Sequence, residues 1–523
     1  MIFRIFSFER AAAVALFVFA TAGEAQTAKH FMVAAAHPRA VEAGYGVLKR
    51  GGSALDAAIA VQMVLGLVEP ESSGIGGGAF LLHWSEKEKK LRSYDGRETA
   101  PAAAHRDLFF DASEKPMEFR EAVASGLSVG VPGVLRMLEL AHRRHGKLPW
   151  AGLFDPAIAL AEQGFTASPR LRMLMEREDF RFPQKNPEYA AALRAIARGG
   201  ADAFYQGALT ADIVRAVRSH ARPGGIAAQD FADYRAVERE PVCAMHLAWR
   251  ICSMGPPSSG GVAVLQTLGI LERTPFAQAP PQSALAVHYF AEAGRLAYAD
   301  RARYLGDPDF VAVPTGKLLD GKYLDERARL IGERSMRLAL VRDTEAAGTS
   351  HLSIVDGEGD AVSMTTTIEA TFGSRIMVRG FLLNNQLTDF DFVPGSPNEV
   401  APRKRPRSSM APTMVFSGER LDMVVGSPGG PNIINYVAKA LVGTLDWRMD
   451  LQSAIALPNF GSRNGPTLIE KDSRFESLRG ELEAKNHLVE TVQLTSGLHG
   501  IERVPGGWRG AADPRREGIA KGD

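Results

Sequence analysis

Cysteine is almost missing from this chain: Cys243 and Cys252 are the only two in 523 residues. Their C-x8-C spacing is not a metal-ligand spacing, and the scattered histidines form no H-x-x-x-H cluster, so neither a metal nor a cofactor is expected. An excess of one charge is missing too. Sixty-one Lys and Arg against 60 Asp and Glu leave a net charge of +1, which argues against an electrostatic hold on nucleic acid or acidic membranes. There is no low-complexity segment and no repeat, and the 52 glycines and 30 prolines are spread out rather than pooled in a linker. What remains is a chain 45% hydrophobic, long enough for one large or two ordinary globular domains with a full core.

The N-terminus is of a different kind. Arg4 and Arg10 precede a short apolar run, followed by small residues at Gly23 and Ala25. This is the pattern of a secretory signal peptide over residues 1–25, cleaved near Ala25 and Gln26, and it predicts an exported, periplasmic or secreted protein. The run is short for a membrane span, and nothing later is apolar enough to be one, so no membrane association is expected after signal removal. In an oxidising compartment the strand-like stretch VCAMHLAWRIC could fold back as a hairpin and join Cys243 to Cys252; two free buried thiols are the other reading.

Along the mature chain, helical and strand-like patterns alternate. Residues 36–69 read as helix in two pieces, broken at Gly51 and Gly52, with Ser53 as an N-cap. A glycine-rich turn, ESSGIGGG, feeds a strand, and a second strand leads into YDGRETA. Helical patterns dominate 107–235. Strands return at 240–253, helices at 282–300 and 325–331, and a strand-rich block runs from 348 to about 425, followed by helix at 432–447. Strands at both ends with helices between predict an α/β layered domain, on this pattern alone with one mixed sheet.

Within the strand-rich block, both ends of GTSHLSIVDGEGDAVSMTTTI are crowded with hydroxyls. A polar sheet face would account for them, since Thr is a good strand residue. A catalytic account needs a base, and no His or Asp stands beside Thr349 in the order a Ser-His-Asp triad uses. Cleavage of the Gly348–Thr349 bond would supply one: the freed α-amine of Thr349, with an ordinary pKa of about 7.7–8, can act on its own hydroxyl. Gly348 is the residue least hindered toward an N-to-O acyl shift.

Several long stretches then occur in one order. TSHLSIVDGEGDAVSMTTTIEATFGS, GFLLNNQLTDFDF, KRPRSSMAPTMV, VVGSPGGPNIIN, HPRAVEAGYGVLKRGGSALDAAIA, VEPESSGIGGGAF and YDGRETAPAAA together resemble the γ-glutamyltranspeptidase family, from about His37 to the terminal AADPRREG. The resemblance implies an αββα Ntn-hydrolase sandwich whose inactive precursor cuts itself before Thr349. A large subunit, 26–348, and a small one, 349–523, would then stay together as a heterodimer forming one intertwined domain. By the same resemblance Thr349 is the nucleophile and Thr367 the hydroxyl that bonds to it. Arg97, Ser408 and Ser409 would bind the donor's α-carboxylate, Gln386 and Asp389 would accept from its α-ammonium, and Gly429 and Gly430 would form the oxyanion hole. The implied reaction passes a γ-glutamyl group from glutathione or a similar donor to water, an amino acid or a peptide.

Two departures stand out. Glu369 occupies a position where many members have Asn, placing a further carboxylate near the ammonium. Between Asp389 and Ser408 the chain lacks the longer aromatic-bearing lid of some members, so an open mouth is expected. The alternative enzyme is a cephalosporin or glutaryl amide acylase on the same scaffold, and the alternative of another class is a catalytically dead exported binding protein.

Overall fold

The computed structural model describes residues 26–337 and 348–523. The proposed signal segment, 1–25, and residues 338–347 lie outside the described part.

Two seven-stranded sheets lie face to face. Their strands are β1 (Gln26–Ala28), β2 (Met32–Ala35), β3 (Gly78–Ser85), β4 (Lys90–Gly96), β5 (Val237–Arg239), β6 (Val242–His246), β7 (Trp249–Ser253), β8 (Gly348–Val355) and β9 (Ala361–Glu369), then, beyond a ribbon of β10 (Met377–Val378) and β11 (Phe381–Leu382), β12 (Thr413–Ser417) and β13 (Arg420–Gly426). A small separate sheet holds β14 (Phe460–Ser462), β15 (Thr467–Glu470) and β16 (Val489–Val492); β17 (His499–Val504), β18 (Gly507–Ala512) and β19 (Ile519–Gly522) complete the large ones. One large sheet runs β1-β18-β17-β13-β12-β7-β6 and the other β19-β2-β8-β9-β3-β4-β5. Every pairing within them is antiparallel, so the single mixed sheet expected from pattern alone is corrected to two antiparallel ones. The misreading has a physical cause: a strand buried on both faces, such as β3 with all eight residues buried, loses the alternation that marks an antiparallel strand with one wet face.

Helices cover both outer faces, giving the αββα layering. Pro38–Lys49 and Ala54–Val68 pack on the β8–β9 sheet, and Gly260–Leu271 and Ile433–Leu441 on the other. Ser53 caps the second of these helices as expected, in a reciprocal capping box with Asp56.

The layer between the sheets changes character along its length. At one end it is apolar, with Trp84, Phe416, Met32, Val355 and Trp508 packed together. At the other it is polar: His351 bonds to the hydroxyls of Thr365 and Ser353, and the Ser363 hydroxyl accepts from the Thr413 N–H. The period-two alternation of β8 sends Thr349, His351 and Ser353 into this layer and Leu352 and Ile354 to the helices. Burial and the nearby His499 hold the His351 imidazole well below its usual range, so it serves as a neutral hydrogen-bonding wedge.

The strand-rich block proved only half strand. Between β9 and β12 the backbone turns through left-handed conformations at Glu369, Phe372, Arg375 and Arg379, which stop a sheet ladder and leave a loop that forms one wall of a pocket. Cys243 and Cys252 stand directly opposite on β6 and β7 and are joined in a disulfide. Among the described residues no helix is long and apolar enough to cross a membrane.

Candidate active site

Thr349 on β8 and Thr367 on β9 face each other across the ladder, both almost wholly buried. The register slips at this point, so that Gly348 pairs with Glu369 and Ile368 bulges out. In this uncut chain the Thr367 hydroxyl accepts from the Glu369 N–H at 2.8 Å and donates to the Gly348 carbonyl at 2.6 Å. The carbonyl of the proposed scissile bond thus carries a hydroxyl donor aimed at it. Gly348 is required by space rather than by φ: a Cβ there would lie 2.3 Å from the Glu369 carbonyl oxygen.

Thr349 is also held from behind. An Arg516 Nη contacts its carbonyl at 3.4 Å, and the neighbouring Ser350 hydroxyl donates to buried Glu69 at 2.7 Å. Burial pushes the Glu69 carboxyl up against the pull of Arg516.

Around the two threonines a small pocket is lined by Arg97, Glu369, Gln386, Asp389, Ser408, Ser409, Met410, Gly430 and Ile433. Nine residues singled out from sequence line it: Arg97, Thr349, Thr367, Glu369, Gln386, Asp389, Ser408, Ser409 and Gly430. Gly348 is engaged in the β8–β9 ladder, and Gly429 stands behind the lining against the Tyr436 ring.

Arg97 follows directly on β4 and reaches three acceptors. Its Nε donates to the Pro406 carbonyl at 3.0 Å, and one Nη donates to the Arg407 carbonyl at 3.0 Å and to Asp389 Oδ2 at 2.5 Å. Gln386 Nε2 donates to the same Asp389 oxygen at 2.5 Å. Burial raises the Asp389 carboxyl, and Arg97 opposes that rise. The other oxygen of each residue is unusual: Asp389 Oδ1 and Gln386 Oε1 are buried and accept from no group of the protein among the described residues. Two unpaired acceptors beside a buried cation make a place for a donor carrying positive charge.

Ser408 and Ser409 follow directly on the two carbonyls that Arg97 holds. The Ser408 hydroxyl accepts from the Met410 N–H, and Arg301, from the Ala284–Tyr304 helix, donates to Ser409 at 2.9 Å and to Ser259 at 2.8 Å. Glu369 adopts φ 78 and accepts from Asn385 Nδ2, and Asn385 also receives the Ala370 N–H.

Gly429 and Gly430 have φ of 134 and 55, conformations open to glycine, and a Cβ on Gly429 would lie 2.5 Å from the Tyr436 ring. Among the described residues neither amide N–H has a protein acceptor. The 3₁₀ turn Gly430–Asn432 leads directly into the Ile433–Leu441 helix, so the helix's positive end adjoins the glycine pair. Between Asp389 and Ser408 the chain is held by contacts of its own: Phe392 stacks on Phe109, and Lys404 ties the loop back through the Pro397 and Glu399 carbonyls.

Sequence reading missed Arg301, Asn385, Met410 and Ile433. Asn385 lay inside the quoted NNQLTDF; Arg301 and Ile433 lie on helices whose periodicity reports burial but not a partner. A buried group of metal-ligand types, His288, Glu292 and His487, also escaped it. Its atoms are already engaged: the His288 ring bonds His487 and the Gly332 carbonyl, His487 bonds Thr467, and Glu292 accepts from Arg295, Ser335 and the Met336 N–H.

With this geometry in hand, the chain matches the family model described as gamma-glutamyltranspeptidase over residues 40–185 and 182–523. It belongs to the γ-glutamyltranspeptidase family. A glutathione hydrolase proenzyme of Bacillus subtilis (strain 168) is 36% identical over 539 residues, covering 94% of this chain and 92% of the relative. An Acylase ACY 1 proenzyme of Pseudomonas sp. (strain V22) is 35% identical over 528 residues, covering 94% and 93%. Among solved structures, a cephalosporin acylase from Bacillus halodurans superposes with a TM-score of 0.84 at 24% identity, over 100% of this chain and 99% of that one, a likeness of fold. The γ-glutamyltranspeptidase family thus includes relatives carrying both names, and the pocket has to separate them.

Proposed function

We propose that this member of the family is a γ-glutamyl transferase and glutathione hydrolase, made as a proenzyme that cuts itself between Gly348 and Thr349. The observation that carries the choice is the pair of unpaired buried acceptors, Asp389 Oδ1 and Gln386 Oε1, next to Arg97. A γ-glutamyl donor brings an α-carboxylate for Arg97, Ser408 and Ser409 and an α-ammonium for those acceptors and Glu369. A glutaryl donor offers a methylene there and leaves them unpaired.

In maturation, the Thr349 hydroxyl oxygen attacks the Gly348 carbonyl carbon, the C–N bond breaks, and the proton passes to the departing nitrogen. Thr367 donates to the carbonyl oxygen as it gains charge. Water then hydrolyses the resulting ester and frees both the hydroxyl and the α-amine of Thr349. In turnover, that amine takes the hydroxyl proton as the oxygen attacks the donor's γ-carbonyl. The Gly429 and Gly430 amides receive the oxyanion. Collapse expels the leaving amine, which takes the proton back, and leaves a γ-glutamyl ester on Thr349. Water, an amino acid or a peptide resolves it. Support for this order comes from the position of Thr367 on the Gly348 carbonyl and from the unengaged glycine amides.

The enzyme would be exported to the periplasm or secreted, as its first 25 residues suggest, and would work as a heterodimer of 26–348 with 349–523. The cephalosporin or glutaryl acylase remains the competing reading because of the acylase-named relative. Measuring kcat/KM for γ-glutamyl-p-nitroanilide and glutaryl-p-nitroanilide separates the two. The γ-glutamyl donor should lead by about tenfold or more, the worth of roughly 1.4 kcal/mol of unpaired acceptor, and Asp389→Asn should narrow the gap. Equal rates, or a preference for the glutaryl donor, would favour the acylase.

A further inference from the structure

The oxyanion loop cannot hold itself. Gly429 and Gly430 have no side chains, and φ values of 134 and 55 give a backbone with wide freedom. Two tyrosines fix it. Gly429 packs so close to the Tyr436 ring that a Cβ would lie 2.5 Å from it, and the buried Tyr298 hydroxyl donates to the carbonyl of Pro431, the residue that follows the glycine pair. Tyr298 belongs to the Ala284–Tyr304 helix, one turn before Arg301 on the same face, and the Arg301 guanidinium lies 5.9 Å from the Tyr298 ring centroid. Arg301 in turn donates to Ser409, which lines the pocket, and to Ser259. A single helix therefore grips the glycine loop through Tyr298 and the serine loop through Arg301.

We propose that Tyr298 is a positioning residue for the oxyanion hole, and that the Tyr298–Arg301 turn sets the separation between that hole and the donor's carboxylate site. The inference rests on the acyl-transfer reading above and assigns it a part that neither pattern nor family likeness supplied. A hole displaced by a fraction of an ångström still binds a planar ground state but loses the tetrahedral one, because its donors must meet the oxygen where charge develops. Tyr298 should thus act on kcat, with little effect on donor binding. Maturation should be spared, since the Gly348 carbonyl takes its donor from Thr367.

Tyr298→Phe keeps the ring and removes the one hydroxyl. Expected for the matured variant are a fall in kcat of about tenfold, a donor KM within about twofold, and complete self-cleavage. Two inhibitors give the decisive readout: glutamate, which is planar at the γ-carbon, and the same amino acid with a boronic acid in place of its γ-carboxyl, which becomes tetrahedral on Thr349. The boronate should weaken about tenfold and glutamate hardly at all. Pro431→Ala, which loosens the same carbonyl from the other side, should weaken the boronate selectively as well. Parallel weakening of both inhibitors, or of neither, would overturn the assignment. Thr349→Ala keeps the two readings apart: if it is inactive while Tyr298→Phe behaves as wild type, only the role of Tyr298 falls, and if Thr349→Ala still turns over donor, the acyl-transfer reading itself falls.

Discussion

Arg97 and Glu98 are neighbours in sequence with opposite electrostatic settings. Arg97 is paired with Asp389 and with two loop carbonyls, whereas Glu98 is fully buried and neither of its oxygens is hydrogen-bonded among the described residues. Burial pushes the Glu98 carboxyl up to about 8, against the pull of Arg97. The folded protein therefore binds a proton at Glu98 that the unfolded chain gives up above about 4.5, and stability through this group falls as pH rises from about 4.5 to 8. Glu98→Gln, which mimics the neutral acid, should gain in Tm over wild type as pH rises across that window; a difference independent of pH would mean that Glu98 is ionised. For Arg97 the expected loss is in binding. Arg97→Lys keeps a charge but not the fork, and kcat/KM for γ-glutamyl donors should fall by about ten- to a hundredfold, mostly through KM, while self-cleavage proceeds. Failed cleavage as the main effect would move Arg97 to a structural role. Arg97 was singled out because it stood inside a long motif, whereas Glu98, its neighbour in the same motif, was not. Tyr298 and Arg301 were not, because a helical repeat tells which face is buried and not which carbonyl or hydroxyl it meets.

At the scale of elements, the β8–β9 hairpin answers the question raised by its own hydroxyls. Thr349 and Thr367 open on the pocket, Ser353, Ser363 and Thr365 satisfy the polar half of the inter-sheet layer, and Ser350 turns to the helix side and bonds Glu69. The hairpin's tightest point is Gly348, where a Cβ would meet backbone atoms of Glu369 and Ala370. Gly348→Ala should leave the chain folded but slow its self-cleavage by about tenfold or more, since overpacking of this kind costs about 1–3 kcal/mol. A time course on denaturing gels measures this, and an unchanged rate would mean that the bulge absorbs the methyl. The β6–β7 hairpin resolves the two readings left open for its cysteines: Cys243 and Cys252 are joined, and denatured, unreduced protein should titrate no thiol. Two titratable thiols would contradict it. Helix positions were well marked in sequence by caps and glycine breaks, as with Ser53. The loop between β9 and β12 was misread as strand because, beside the left-handed glycines Gly373, Gly380 and Gly395, it turns at Glu369, Phe372, Arg375 and Arg379, whose residue types give no turn signal.

On the scale of the whole molecule, both large sheets are woven from the two halves of the chain. One places β1, β6 and β7 from before residue 348 at its edges around β12, β13, β17 and β18, and the other inserts β2 between β19 and β8 and sets β9 against β3. Cutting at Gly348–Thr349 would therefore sever one connection at the very start of β8, freeing Gly348 from its pairing with Glu369 and leaving the other ladder pairs in place, so the expected product is two pieces that separate only when denatured. The layered architecture was legible through the family resemblance rather than through periodicity, because doubly buried strands hide their faces. The account as a whole turns on Thr349 cutting the chain before it acts on a donor. Its most direct test is the mass of the purified protein under denaturing conditions, with N-terminal sequencing of the smaller piece, for wild type and for Thr349→Ala. Two pieces in the wild type, the smaller beginning at Thr349, and one uncut chain in the variant are the expected result; a variant that still splits at this bond, or a wild-type piece that begins elsewhere, would contradict it.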